Sequence, residues 1–175
     1  MVGGRVAGPG RHPVNVAVIT CSNRSASGER GDDSGALLAD GLTGEGHVVV
    51  LRRVVADDVE QIRVAIRDAM AAGAQVVLTT GGTGLTPTDV TPEAVVPLLD
   101  REIPGIAEAL RAVARDRVPT SVLSRGVAGA IGGTLVVTLP GSPGGARDGL
   151  ALLAPLLPHA VEQLGGGDHR PGGGV

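Results

Sequence analysis

The sequence contains no phenylalanine, tyrosine or tryptophan, and all 15 of its basic residues are arginine. A folded core must therefore be built from Val, Leu, Ile and Ala. A bound flat heterocycle cannot stack on an aromatic side chain, so it has to rest on backbone, aliphatic groups or a guanidinium plane. A Walker-type phosphate loop requires a lysine, so the absence of lysine excludes this class of nucleotide site.

Cysteine and long apolar runs are also scarce. Cys21 is the single cysteine, so no intramolecular disulfide can form, as is usual in a reducing compartment. We interpret Cys21 as a small buried apolar residue, because no histidine is close to it in sequence. No apolar run has the length of a membrane span, and the glycine-rich start lacks a signal-peptide core. With a net charge of −3, these features predict a cytoplasmic protein with no membrane or nucleic-acid partner.

The chain of 175 residues is long enough for one domain with a sizeable core. Residues 1–13, rich in Gly, Arg and Pro, are predicted to be a flexible arm, and 165–175 a flexible glycine-rich tail. The region between them, 14–164, is predicted to be the single folded domain.

Within this domain, hydrophobic patterns predict strands alternating with helices. The predicted strands cover residues 15–20, 47–54, 75–80 and 134–139. The predicted helices run from 33 or 34 to about 44, from 59 to a stop at 73, over 91–99, between 104 and 119, and over 146–164. Breaks are expected near Pro97, Pro155 and Pro158. This alternation predicts a three-layer α/β/α fold with a mainly parallel sheet.

The most informative segment is the loop after the third predicted strand. Residues 79–84 read Thr-Thr-Gly-Gly-Thr-Gly, the loop ends at Asp89, and Thr91-Pro92-Glu93 has the pattern of a helix start. Backbone N–H groups at such a strand end favour phosphates. A flexible connection is the alternative, but three glycines exceed what a simple turn needs. Pro87 occupies the place of the third glycine of a dinucleotide fingerprint, so a Rossmann dehydrogenase is disfavoured.

Two carboxylates are candidates for a metal site beside this loop. Asp57 follows the second predicted strand and Asp89 follows the third. Parallel strands end at one edge of the sheet, so these side chains could converge and bind Mg²⁺ together with phosphate oxygens. For Asp57 and its neighbour Asp58, capping of the following helix is the alternative interpretation.

Two more loops are expected at the same edge. Residues 21–28 offer hydroxyl, amide and guanidinium groups after the first strand. Residues 139–144 contain Ser142, but Pro140 replaces the first glycine of a nucleophile elbow, which makes a small serine hydrolase a remote alternative. The histidines show no metal-ligand spacing.

Over residues 15–164 the sequence resembles the MogA/MoaB group of molybdenum-cofactor biosynthesis, which is related to the N-terminal domain of gephyrin. The resemblance is strongest in residues 78–84, Leu-Thr-Thr-Gly-Gly-Thr-Gly, together with 89–94, Asp-Val-Thr-Pro-Glu-Ala. Supporting motifs are Asn-Arg-Ser at 23–25, Asp-Ser-Gly at 33–35, Arg-Glu-Ile-Pro-Gly at 101–105, Pro-Thr-Ser-Val-Leu-Ser-Arg at 119–125 and Leu-Pro-Gly-Ser-Pro at 139–143.

The resemblance implies a MogA-like molybdopterin-binding fold and an adenylyltransferase. Such an enzyme transfers AMP from Mg-ATP to the terminal phosphate of molybdopterin and releases pyrophosphate. Asp57 and Asp89 match the two critical aspartates and would be the catalytic residues and Mg²⁺ ligands. The substrate-binding positions implied are Asn23, Arg24, Ser25, Thr80, Gly81, Gly82, Thr83, Gly84, Ser124, Arg125, Pro140, Gly141 and Ser142.

The resemblance also implies a homotrimer or hexamer and handover of the product to a molybdenum-insertion protein. The chain departs from the group at Gly144 and Gly145, because many relatives have a lysine after the Pro-Gly-x-Pro turn. Arg147 or Arg125 would have to replace that cation. The alternative function is that of a non-catalytic, MoaB-type molybdopterin-binding protein.

Overall fold

The computed structural model describes residues 12–167. Most of the predicted arm, residues 1–11, and most of the predicted tail, 168–175, lie outside the described residues. No helix within the described range is long and apolar enough to cross a membrane.

Six strands form one sheet. Their bounds are β1 Asn15–Cys21, β2 Val48–Val55, β3 Val76–Thr80, β4 Arg101–Glu102, β5 Ala128–Ile131 and β6 Thr134–Leu139. The helices are α1 Asn23–Ala26, α2 Asp33–Gly44, α3 Val59–Ala71, α4 Thr91–Val95, α5 Pro104–Ala114, α6 Pro143–Leu153 and α7 Leu157–Leu164. Two 3₁₀ helices cover Val96–Leu98 and Pro119–Leu123. The predicted α/β architecture is therefore confirmed.

The strand order is β2-β1-β3-β6-β5-β4. The first four strands in this order pair in parallel, whereas β5 pairs antiparallel with both β6 and β4. From β1 the chain crosses to β2 at one edge of the sheet, and from β3 it crosses to β6 on the side towards the opposite edge. The switch point between β1 and β3 opens a crevice at the carboxyl ends of these strands, where open α/β sheets bind ligands.

Helices cover both faces of the sheet, as predicted. Val16 and Val18 pack on one face against α2, α6 and α7, while Ala17 and Ile19 pack on the other face against α3 and α4. β1, β3 and β6 are buried on both faces and lie in the interior of the sheet, as is usual for parallel strands covered by helices. This buried centre is a rigid base for the loops at the carboxyl edge.

The structure corrects the prediction in three places. Pro158 was expected to break a helix, but it lies in the first turn of α7, where the missing N–H costs no hydrogen bond. The helix predicted to begin at residue 146 begins three residues earlier, at Pro143, with Ser142 as its cap. Finally, α1, β4 and β5 were not predicted. β5 has the sequence Ala-Gly-Ala-Ile and gains its strand conformation from pairing with β6.

Candidate functional site

A cavity of about 780 Å³ lies at the switch point. Its walls come from the loops that follow β1, β2, β3 and β6 and from the segment between α5 and β5. The cavity is large enough for a cofactor-sized ligand. The cavity is therefore lined by all four loops that were predicted to lie at this edge of the sheet.

The loop after β3 reaches this cavity with an unusual backbone. Gly81 has φ +101° and Gly82 has φ +64°. A Cβ atom would lie 2.2 Å from the carbonyl oxygen of Cys21 at the first position and 2.3 Å from Thr91 Oγ1 at the second. Both positions therefore need glycine, which permits the loop to pack directly on β1 and on the start of α4.

The turn is fixed by its neighbours and leaves amides unused. The Thr91 hydroxyl donates to the carbonyl of Gly81 at 2.9 Å, and the Gly81 amide donates to the carbonyl of Leu139 at 3.0 Å. Within residues 12–167, the amides of Gly82 and Thr83 donate to no acceptor. Both residues line the cavity, so the loop offers two N–H donors to an anion.

Asp57 and Asp58 have separate roles. Asp58 caps α3, because its Oδ1 accepts from the amide of Gln61 at 2.9 Å. Asp57 instead exchanges hydrogen bonds with Asn23. The backbone amide of Asn23 donates to Asp57 Oδ2 at 2.9 Å, and the side-chain Oδ1 of Asn23 accepts from the backbone amide of Asp57 at 3.0 Å. The capping interpretation is therefore correct for Asp58, while Asp57 faces the cavity.

The second oxygen of Asp57 is buried without a hydrogen-bond partner among the described residues. Burial raises the pKa of the Asp57 carboxyl above its ordinary value. The amide of Asn23 opposes this shift, and the negative charge of Asp89 adds to it. The two predicted carboxylates are thus close enough to interact electrostatically.

Asp89 is held by the turn that precedes it. The hydroxyl and the amide of Thr86 donate to Asp89 Oδ2 at 2.6 Å and 2.9 Å. Partial burial opposes ionisation, but these hydrogen bonds keep the pKa of Asp89 below its ordinary value. The Gly84 backbone and the charge of Arg125 act in the same direction. Asp89 is therefore an anion at neutral pH.

Arg125 was predicted to contact substrate, but its guanidinium binds the glycine loop. Its Nε donates to the carbonyl of Gly84 at 2.7 Å, and an Nη donates to the carbonyl of Asp89 at 2.5 Å. The other Nη pairs with Glu93, and the Arg125 amide donates to the carbonyl of Thr83 at 2.9 Å. Arg125 therefore joins both ends of the loop, and its guanidinium is not part of the cavity wall.

The loop after β6 lies beside the loop after β3. The Thr80 hydroxyl donates to the carbonyl of Pro140 at 2.8 Å, and a Cβ at Gly141 would lie 3.0 Å from the Cα of Gly81. Ser142 Oγ accepts from the amide of Gly145 at 3.1 Å and so caps α6. No histidine of the described chain lines the cavity, so the structure gives the serine-hydrolase alternative no support.

Most of the predicted site residues meet in this cavity. Those that line it are Ser25, Asp57, Thr80, Gly81, Gly82, Thr83, Gly84, Asp89, Ser124, Pro140, Gly141 and Ser142. Asn23 instead supports Asp57, Arg24 is exposed outside the cavity wall, and Arg125 clamps the loop. Sequence reasoning missed Arg30, Arg117 and Asp148, which also line the cavity but belong to no recognised motif.

The carboxylates fit a magnesium ion. Asp57 provides a buried oxygen that lacks a partner, and Asp89 provides a stable negative charge beside it. Across residues 12–167 no cluster of three or more His, Cys, Asp or Glu side chains could hold a metal. A two-carboxylate site suits Mg²⁺, which usually completes its octahedron with water and phosphate oxygens.

Cys21 lies below the glycine loop and is buried. Burial raises the pKa of its thiol to about 12, with the hydrogen bond to Thr91 acting against this shift and the charge of Asp57 adding to it. The thiol is therefore protonated at neutral pH, which confirms the interpretation of Cys21 as an apolar residue of the core.

Together, fold and cavity define an α/β protein with a crevice at its topological switch point that is lined by a glycine-rich loop and two carboxylates. The sequence pattern of the family described as "Probable molybdopterin binding domain" matches residues 17–159. The chain belongs to this family of molybdenum-cofactor biosynthesis, which confirms the resemblance found in the sequence.

Individual relatives agree with this assignment. The chain is 42% identical over 156 residues to the "Molybdenum cofactor biosynthesis bifunctional protein" of Synechococcus elongatus, covering 89% of this chain and 49% of that protein. It is 41% identical over 148 residues to "Molybdenum cofactor biosynthesis protein B" of Escherichia coli K12, covering 83% and 86%. It is 39% identical over 154 residues to "Molybdopterin adenylyltransferase" of Pyrococcus furiosus, covering 83% and 90%. The chain thus spans about half the length of the bifunctional relative.

Solved structures share the fold. "The structure of the Molybdopterin biosynthesis Mog protein from Mycobacterium ulcerans" is 46% identical with a TM-score of 0.81, covering 86% of this chain and 99% of that one. "Anomalous substructure of MogA" is 49% identical, with the same TM-score and coverage. These likenesses confirm the predicted MogA-like fold.

Proposed function

We propose that this protein binds molybdopterin and transfers AMP from Mg-ATP to its terminal phosphate, with release of pyrophosphate. One observation carries the proposal. Asp57 and Asp89 come from different loops and face the same cavity beside the glycine loop with its two unused amides. The name of the Pyrococcus furiosus relative supports the same activity.

In this reaction an oxygen of the molybdopterin phosphate forms a bond to the α-phosphorus of ATP. The bond from that phosphorus to the β-phosphate breaks, and pyrophosphate carries away the electron pair. The attacking oxygen belongs to the substrate, so no side chain has to act as nucleophile. The contribution of the protein is to position the reactants and offset their negative charge.

The residues of the cavity suit these two tasks. The amides of Gly82 and Thr83 would hold phosphate oxygens, since their N–H groups have no acceptor within the described chain. Asp57 and Asp89 would hold Mg²⁺, which, when bound, neutralises phosphate charge. Asn23 keeps the Asp57 carboxylate in place, and Thr86 does the same for Asp89.

Incubation of the protein with molybdopterin and Mg-ATP, followed by detection of adenylyl-molybdopterin and pyrophosphate, tests the proposal. We expect Asp57→Asn to lower turnover by about a hundredfold or more, as loss of a key electrostatic group does. Asp89→Asn should abolish transfer while molybdopterin still binds. Asp58→Asn is the matched control, because asparagine caps a helix as well as aspartate does. Wild-type turnover in Asp57→Asn or Asp89→Asn would refute the assigned roles.

One observation favours a second candidate function, that of a non-catalytic molybdopterin-binding protein. Neither arginine that could replace the missing lysine contributes its guanidinium to the cavity wall. Gly144 occupies the lysine position, the Arg125 guanidinium binds the glycine loop, and Arg147 is exposed outside the cavity wall. Calorimetry with Mg-ATP separates the two functions. The adenylyltransferase must bind Mg-ATP in this cavity, whereas a pure molybdopterin carrier need not.

Three further predictions belong to this proposal. We propose that the protein works as a homotrimer, with a hexamer as the alternative, and that it acts in the cytoplasm. We also propose that its product passes to a molybdenum-insertion protein. Light scattering of the purified chain would test the assembly.

A further inference from the structure

The charges around the cavity do not balance. Among residues 12–167, four carboxylates and two guanidinium groups line it. Arg117 donates to Asp148 at 2.7 Å, so each of these two residues already has a partner. The remaining lining charges are Asp33, Asp57 and Asp89 against Arg30. A phosphate-bearing ligand would therefore meet an excess of negative charge, with Arg30 as the cation available to it.

Arg30 differs from the other arginines near the site. Its guanidinium forms no ion pair and donates no hydrogen bond to residues 12–167, unlike those of Arg117 and Arg125. The side chain is exposed at the cavity wall, in the turn between α1 and α2. Its planar donors are free to form the paired hydrogen bonds by which arginine recognises phosphate.

The turn that carries Arg30 is anchored on both sides. Before it, the Arg30 amide donates to the carbonyl of Arg24 at 3.1 Å. After it, Asp32 Oδ1 accepts from the Thr20 hydroxyl at 2.7 Å, and Asp32 Oδ2 accepts from Arg52 at 2.8 Å. The backbone of Arg30 is therefore held at the wall, while its side chain keeps its donors for a ligand.

We propose that Arg30 is an anion-binding residue of this cavity and pairs with a phosphate group of the ligand. This inference rests on the proposed function, because it requires a ligand that carries phosphate. The phosphate could belong to the nucleotide or to the pterin. Both sources share the same chemistry, and the experiment separates them.

The test is titration calorimetry with three probes: Mg-ATP, inorganic pyrophosphate with Mg²⁺, and molybdopterin. We expect Arg30→Gln to weaken at least one probe by about tenfold, the loss typical of a charged hydrogen-bond partner. Arg30→Lys keeps the charge but loses the paired donors, so its affinity should lie between those of wild type and Arg30→Gln. The probes that lose affinity identify the phosphate. Weaker pyrophosphate binding indicates the nucleotide, and weaker molybdopterin binding alone indicates the pterin.

Arg67→Gln is the matched control. Arg67 is exposed on α3, lies outside the cavity wall and makes no ion pair within the described chain, so the same charge is removed far from the ligand. This variant should bind all three probes as wild type does. The proposal is overturned if Arg30→Gln binds every probe with wild-type affinity. It is also overturned if Arg67→Gln weakens the probes as much as Arg30→Gln does, because the loss would then come from the net charge of the protein and not from a contact in the cavity.

Failure of this inference and failure of the proposed function are distinguishable. If wild type forms adenylyl-molybdopterin and Arg30→Gln binds all probes normally, only the role of Arg30 is wrong. If wild type forms no product but phosphate probes still depend on Arg30, the anion-binding role stands and the transfer reaction is wrong.

Discussion

Replacement of Arg125 by methionine should destabilise the protein, because its guanidinium clamps the loop that carries Asp89. The variant loses donors to the carbonyls of Gly84 and Asp89 and an ion pair with Glu93. A hydrogen bond to a charged group contributes about 1.5–3 kcal/mol when well buried. The Arg125 side chain is 34% exposed, so both backbone contacts together should contribute about 2 kcal/mol.

Loss of the ion pair with Glu93 should lower the unfolding free energy by little more, because the Glu93 side chain is 51% exposed. For a domain of this size, about 2 kcal/mol corresponds to a fall in melting temperature of about 4–8 °C. Urea unfolding measures the free energy, and hydrogen exchange at the Thr86 amide reports the local loosening. That amide donates to Asp89 at 2.9 Å, so it should exchange faster in the variant.

Two control variants isolate the clamp. Glu93→Gln removes only the exposed ion pair and should change the unfolding free energy by no more than about 0.5 kcal/mol. Arg147→Met removes an exposed arginine outside the cavity wall and should behave as wild type. If Arg125→Met unfolds at the wild-type urea concentration yet loses ligand affinity, the guanidinium contacts substrate, and the clamp explanation is refuted.

Two further predictions concern the glycine loop and the titration of Asp57. Gly82→Ala should cost at least about 2 kcal/mol of unfolding free energy, from the positive φ and the 2.3 Å approach of its Cβ to Thr91 Oγ1. Gly144→Ala, whose Cβ meets nothing within 4 Å, should not destabilise; equal urea midpoints for the two variants would contradict this reasoning. The raised pKa of Asp57 means that the folded state favours its protonated form. Protonated Asp57 therefore stabilises the folded state fully below its ordinary pKa of about 3.9, and this stabilisation is lost as the pH rises through the raised pKa. Wild type should therefore lose stability relative to Asp57→Asn as the pH rises above about 4, and a difference that is independent of pH would show that the burial argument is wrong.

Local sequence signals were sufficient to predict the architecture and to locate the glycine loop. Apolar runs such as residues 76–78 are encoded locally, because a strand buried on both faces is mostly apolar. The helix start at Thr91 and the glycines of the preceding loop are also local signals, since capping and positive φ depend on residue type. These patterns were enough to place Asp57 and Asp89 at one edge of the sheet.

The roles of individual side chains in the site could be read only from their contacts in the folded chain. Asp57 and Asp58 are chemically identical neighbours, and the position of Asn23 beside one of them separates the half-buried carboxylate at the cavity from the helix cap. Arg125 belongs to one of the motifs on which the sequence resemblance rests, yet its guanidinium binds the loop backbone. Arg30 has no motif at all and becomes a candidate ligand residue because the fold brings it to the cavity without a partner among residues 12–167. Long-range packing decides such roles, and it leaves no periodic pattern in the chain.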